Sequence, residues 1–107
     1  MSENNKLLGL IGICRISSSL EPGEERCEAA VKSGKACLVI LSEDASGNTV
    51  KKFTDKCSFY QVTLKKVPLT KDEMGKAAGL NQRSCMAVTN EGLAAKMTEV
   101  INQMMGE

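Results

Sequence analysis

The stretch EPGEERC, residues 21–27, concentrates the residue types best able to recognise a ligand in this chain. Pro22-Gly23 reads as a turn, and Glu24 onward reads as a helix running to Gly34. Helix tips gather unpaired backbone amides, which together with the helix dipole make an anion or phosphate site. A glycine just before the tip permits close backbone approach. Glu24 and Glu25 change that chemistry. Carboxylates in a first turn complement the dipole by about 0.3–1 kcal/mol each, and they repel a phosphate placed there. They do not repel a base edge, because a carboxylate accepts protons from amino and imino groups. The tip is thus a poor phosphate cradle and a candidate base reader, against the plainer alternative of a well-capped helix. Arg26 adds a guanidinium. It can pair bidentately with guanine O6 and N7, or pair with a neighbouring Glu at a worth of about 0.5 kcal/mol.

Other chemistry is sparsely represented. The chain has no histidine to serve as general base and no glycine-rich phosphate loop of either common type. Five cysteines (Cys14, Cys27, Cys37, Cys57 and Cys85) are widely scattered and form no CxxC pair. Without histidine, that spacing argues against a zinc site and for reduced thiols in a cytoplasm. Cys27 lies near a helix N-terminus, where a thiolate is favoured. It also falls on the face expected to be buried, so it reads as core. These features point to a protein that is not an enzyme and needs no metal or other cofactor.

The 107 residues argue for one domain spanning the chain, with a polar, frayed start at residues 1–5. Apolar residues make up 42% and charged residues 25%, enough for a core without metal or disulfide staples. A net charge of +1 and a pI of about 7.6 leave little bulk attraction for nucleic acid. Phe53, Phe59 and Tyr60 are the only aromatics, which argues against a stacked aromatic platform. No apolar run approaches the length of a membrane span.

Helical spacing of Leu7, Leu8, Leu10, Ile11 and Cys14 predicts a first helix over Asn4 to Ile16, broken by Ser17-Ser18-Ser19. Gly9 and Gly12 inside it allow close packing. Leu20 suits a short edge strand. Cys27, Ala30 and Val31 give the second helix its apolar face. Ala36 to Ser42 is an apolar run of the kind found in a strand covered on both faces. EDASGNT reads as a loop, and Val50, Phe53, Cys57 and Tyr60 mark a third helix. Val62 to Val67 reads as a second central strand. TKDE, Thr70 to Glu73, is a capping box opening a helix that carries Met74, Ala77 and Ala78 and stops at Gly79. After the polar loop Leu80 to Ser84, Cys85 to Thr89 reads as a third central strand. Asn90 caps a last helix with a stripe of Leu93, Met97, Val100, Ile101 and Met104, read as core. This alternation implies a layered α/β domain: a small, mostly parallel sheet sandwiched by helices.

Three segments carry a family resemblance: GEERCEAAVKSGKACLVILSEDASGNTVKKFTDKC, LTKDEMGKAAGL and CMAVTNEGLAAKM. Together they resemble the kink-turn RNA-binding ribosomal protein family, the superfamily of large-subunit proteins L-seven-Ae and L-thirty-e, and most nearly its bacterial YlxQ-type branch. The resemblance spans about Leu7 to Ile101. It implies an α/β/α sandwich with a small mixed sheet, binding structured RNA at kink-turns, where a bulge beside sheared G·A pairs bends the duplex. Ribosome association is a further implication, and neither a membrane nor a small-molecule substrate is.

The same resemblance implies two contact surfaces. One is the helix tip of Gly23, Glu24, Glu25 and Arg26, entering the groove at the G·A pairs. The other is the loop of Leu80, Asn81, Gln82 and Arg83, packing against bulged nucleotides. Lys71 matches a position that contacts RNA backbone; Lys32, Lys35 and Lys76 would flank the surface. Recognition of this kind reads shape and base edges and needs few aromatics. The chain departs from the family pattern in four places. It has Glu25-Arg26 where kink-turn binders carry Asn-Glu or Lys-Gln, and Ala29 where a lysine is usual. It has Ser18 where the branch has a basic residue, and Ser33 where an arginine is frequent. Each missing phosphate contact flattens the salt dependence by about 0.7–0.9 in slope. The alternative is a diverged member with weak RNA affinity that acts as a protein-interaction module.

Overall fold

The structure, a computed structural model, describes residues 3–106. Five helices alternate with four strands: α1 (Glu3–Ile16), β1 (Leu20–Pro22), α2 (Glu24–Lys32), β2 (Leu38–Leu41), α3 (Gly47–Tyr60), β3 (Thr63–Lys66), α4 (Lys71–Ala77), β4 (Cys85–Val88) and α5 (Glu91–Met104). Period-two alternation in the central strands divides the interior into two layers. Leu38, Ile40, Met86 and Val88 face a core shared with Leu7, Ile11 and Cys14 of α1, Met74 of α4 and Met97, Val100 and Ile101 of α5. Val39, Leu41, Cys85 and Ala87 face the other core, with Cys27, Ala30 and Val31 of α2 and Phe53 and Cys57 of α3. The result is the expected three-layer α/β/α sandwich. The Met-rich stripe of α5 is core, as its spacing predicts.

The sheet order is β1-β4-β2-β3, and one detail of the expected sheet is corrected. Only β2 and β3 pair in parallel; β1–β4 and β4–β2 are antiparallel. Strands β1, β2 and β3 do point the same way, but β4 runs against them from between β1 and β2. The cause is the β3-to-β4 connection. At seven residues, α4 is only about 10 Å long. The chain also returns to where it left: the Arg83 amide donates to the Lys71 carbonyl at 3.0 Å. With no crossover to the far end of the sheet, β4 must start at the end where β3 stops, its Cys85 opposite Leu41 of β2, and run antiparallel to β2.

Smaller expectations also change. Val62 to Val67 reads in sequence as a central strand; β3 is instead the edge, with Thr63 and Lys66 exposed. Glu3, Asn4 and Asn5 are helical rather than frayed, while Met1 and Ser2 lie outside the described residues. The loop before α3 is shorter than EDASGNT, because Ser46 caps the helix by accepting from the Thr49 amide and draws Gly47, Asn48 and Thr49 into the first turn. The capping box at Thr70 and Glu73 and the cap at Asn90 form as their spacing predicts. The close packing expected at Gly9 and Gly12 is not required of glycine: an added Cβ at Gly12 would stand in ordinary contact with the Ala77 carbonyl oxygen at 3.5 Å, and one at Gly9 would meet nothing within 4 Å. No helix among the described residues is long and apolar enough to cross a membrane.

Candidate nucleic-acid interface

Both predicted contact segments emerge at the same end of the sheet. The Gly23 amide donates to the Cys85 carbonyl at 2.9 Å, which fastens the tip of α2 to the first residue of β4. Arg83 lies two residues earlier, and its Cδ and Nε lie 3.5 Å from where a Gly23 Cβ would stand. Gly23 has φ 94° and ψ 159°, a backbone state open essentially to glycine alone. A side chain there would strain the turn, while its Cβ would only make ordinary contact with Arg83. Lys71 joins this end through its backbone, donating to Asp44 Oδ1 at 2.9 Å and accepting from the Arg83 amide.

No side chain among the described residues caps the start of α2; the first bond on the tip runs from the Cys27 amide to the Gly23 carbonyl. First-turn amides of a helix have no intrahelical partner, so the tip offers donors to whatever meets it. Its three charged side chains fare differently. Glu24 Oε2 accepts from the Thr49 hydroxyl at 3.1 Å, and its Oε1 lies 3.8 Å from Lys52 Nζ. Glu25 is exposed, with no ion pair among the described residues. Arg26 is paired: its Nε and Nη2 both reach Glu21 Oε1 at 2.8 Å.

The loop is shaped by Gly75 in α4. A Cβ at that position would overlap the Asn81 carbonyl, so only glycine lets the loop lie across the helix. Leu80 turns inward and packs against the core, its amide bonded to the Gly75 carbonyl at 2.8 Å. It anchors the loop rather than projecting from it. Asn81 and Gln82 are exposed. Arg83 Nη1 donates to their carbonyls, at 3.1 Å and 2.9 Å, and curls the loop around its own guanidinium.

Lys32 is not brought to the tip. It sits in the last turn of α2, 3.2 Å from Glu28. Lys52 and Lys56 of α3 also reach Glu28, at 3.0 Å and 3.2 Å. Hydrogen bonds from Lys52, then Lys56, then Lys32 hold the Glu28 carboxyl down at about 2, far below the ordinary carboxylate range. The same pair raises Lys52. This knot ties α2 to α3 and fixes the direction in which the tip projects. Cys27 is fully buried, as its place on the apolar face implies. Hydrogen bonding with Cys85, then burial, pushes its thiol well up, and burial pushes Cys57 up to about 11. Such thiols stay protonated and unreactive at neutral pH.

Sequence reasoning passed over four residues that build this end: Glu21, Thr49, Gly75 and the Lys52 side chain. Gly75 carried a signal, since a glycine inside a short helix costs stability and asks for a packing reason. Glu21, Thr49 and Lys52 carried none, because their partners are distant in sequence or lie in another element.

The family model described as "Ribosomal protein L7Ae/L30e/S12e/Gadd45 family" matches residues 5–98. The RNA-binding protein YlxQ of Bacillus subtilis (strain 168) is 37% identical over 93 residues, covering 87% of this chain and 92% of that protein. The RNA-binding protein YlxQ of Enterococcus faecium is 34% identical over 103 residues, covering 94% and 98%. Among solved structures, a protein of unknown function from Bacillus halodurans C superposes with a TM-score of 0.85 at 37% identity, over 91% of this chain and 97% of the other. The Giardia lamblia 15.5kD RNA binding protein shares the fold, with a TM-score of 0.78 at 19% identity, over 99% and 91%.

Proposed function

From the premise that this chain belongs to the Ribosomal protein L7Ae/L30e/S12e/Gadd45 family, in its YlxQ branch, we propose that it is a non-catalytic RNA-binding protein. Its ligand is a kink-turn or a similarly bent duplex, met in the cytoplasm and in part on ribosomal RNA. The tip Gly23, Glu24, Glu25 and Arg26 enters the distorted groove. Asn81, Gln82 and Arg83 meet the bulged nucleotides, Leu80 anchors their loop, and Lys71 contacts backbone. Lys32 belongs to the α2–α3 knot and has no direct part in this reading.

The observation that carries the proposal is the packing of Arg83 on Gly23. It makes the tip and the loop one continuous surface, so that a single bent RNA can meet both segments. The relatives named RNA-binding support the ligand class. A gel-shift titration in moderate salt compares a kink-turn RNA with the same RNA after replacement of its G·A pairs. Strong preference for the intact kink-turn is expected; equal, weak binding to both would sink the reading.

One observation favours the second reading, a protein-interaction module. Ile13 and Ile16 of α1 are 51% and 87% exposed, and Ile13 lines a groove of about 520 Å³ between α1 and α5 with Leu10 and Val100. Exposed apolar groups beside a groove suit a protein partner. Ile13→Lys with Ile16→Lys leaves RNA binding untouched under the first reading. It abolishes co-purification of a protein partner under the second.

A further inference from the structure

Arg26 is held by a residue outside its own helix. Glu21 lies in β1, where its register opposite Ala87 of β4 fixes the backbone that carries it. Arg26 Nε and Nη2 both donate to Glu21 Oε1, each at 2.8 Å. The Arg26 side chain nevertheless remains 58% exposed. A guanidinium carries five N–H donors in one rigid plane. Glu21 takes two of them, on one edge. The hydrogens left on Nη1 and Nη2 form a second edge, which offers two parallel donors to a pair of acceptors.

Charge decides which acceptors suit that edge. The Glu21 carboxylate cancels the charge of Arg26 while leaving its outward donors in place, and exposed Glu25 stands beside it with no ion pair among the described residues. A phosphate would gain little Coulomb attraction there. A neutral base edge depends on donor geometry instead, and guanine O6 and N7 fit a guanidinium fork. Room for a flat ring exists beside the pair: a cleft of about 290 Å³ lined by Glu21, Arg26, Ala29, Ala30, Ser33 and Lys35. The small side chains of Ala29 and Ser33 keep its wall open.

We propose that Glu21 is a positioning residue that presents Arg26 as a fixed two-donor fork to the O6 and N7 edge of a guanine in the bound RNA. The inference rests on the RNA reading above and names what one part of that surface recognises. Holding the side chain before binding removes the ordering cost that a free arginine would meet on contact.

The test titrates the full chain with a kink-turn RNA, with the same RNA carrying 7-deazaguanine at its guanines, and with one carrying methylphosphonate linkages around the G·A pairs. Loss of N7 is expected to weaken the wild-type protein by about 5- to 150-fold. Arg26→Ala erases that penalty. Glu21→Ala shrinks it by about 2- to 12-fold, the ordering cost restored. Glu21→Gln keeps an acceptor for Arg26 and retains the penalty, which separates orientation from charge. Circular dichroism melts confirm that each variant is folded. An undiminished penalty in Glu21→Ala overturns the inference. So does a wild-type protein sensitive to the methylphosphonates and indifferent to 7-deazaguanine, since the fork would then hold phosphate. If the wild-type protein does not prefer the kink-turn over its G·A-replaced control, the RNA reading and this inference fall together. Preference without a 7-deazaguanine effect removes the inference alone.

Discussion

The carbonyl of Asn81 occupies the space that a side chain on Gly75 would need. The missing Cβ lets the loop after α4 lie across the helix, and the loop then carries Arg83 onto Gly23. One absent methyl group therefore aligns two segments that are some sixty residues apart in sequence.

Gly75→Ala is expected to push the loop away from α4. The clash is with backbone, so relief requires backbone movement and a cost of about 1–3 kcal/mol. Urea unfolding should show the loss as a lower midpoint. Discrimination between kink-turn and control RNA should fall with it. An alanine variant as stable as the parent would show that the loop is not pinned at this point.

Thr70 accepts from the Glu73 amide at 3.1 Å, and the Glu73 carboxylate accepts from the Thr70 amide at 2.9 Å. Thr70→Ala removes one half of this box and should cost about 0.5–2 kcal/mol. Because the Lys71 carbonyl holds the Arg83 amide, the lost cap should also raise amide exchange at Arg83. Hydrogen exchange followed by NMR reads both effects.

Glu28 sets an acid limit. Its folded value of about 2 lies below the ordinary 4.5. The folded state thus binds its proton more weakly than the unfolded chain does. The stabilisation is complete above about pH 4.5 and is lost as pH falls towards about 2. The three lysine contacts are partly solvated, so Glu28→Gln should cost only about 0.2–1 kcal/mol at neutral pH. Thermal melts across this range should show the two proteins converging at the acid end. A constant gap would assign the loss to packing instead.

Lys71 has an exposed side chain with no ion pair among the described residues. Under the proposed function it meets RNA backbone. Lys71→Ala should then reduce the slope of log affinity against log salt by about 0.7–0.9, the share of one phosphate. Lys32→Ala should leave that slope unchanged, since Lys32 is bound to Glu28 away from the tip. Equal effects from both would mean that the RNA footprint extends along α2.

Local chemistry is written in short range, and that part was legible in the sequence. Apolar spacing marked the five helices; continuous apolar runs marked β2 and β4; the caps at Thr70 and Asn90 arise from side chains bonding amides three residues on. The YlxQ-type segments pointed to the family. Strand direction was less legible. Alternating helices and strands suggested parallel neighbours, because nothing local announces that α4 is too short to carry the chain across the sheet.

Pairing between distant residues belongs to tertiary structure alone. Composition showed that Arg26 had glutamates nearby, but strand register decided that Glu21 would be its partner. Composition likewise counted the lysines, while packing of α2 on α3 brought Lys52 and Lys56 to Glu28, beside Lys32 one turn on in α2, and left Lys71 exposed. Hydrogen-bonding patterns within one turn depend on neighbours in the chain, so the sequence alone determined the elements, the caps at Thr70 and Asn90 and the family. Which charges meet, and which glycine brings tip and loop together, depends on how those elements stack, and only the folded molecule decided that.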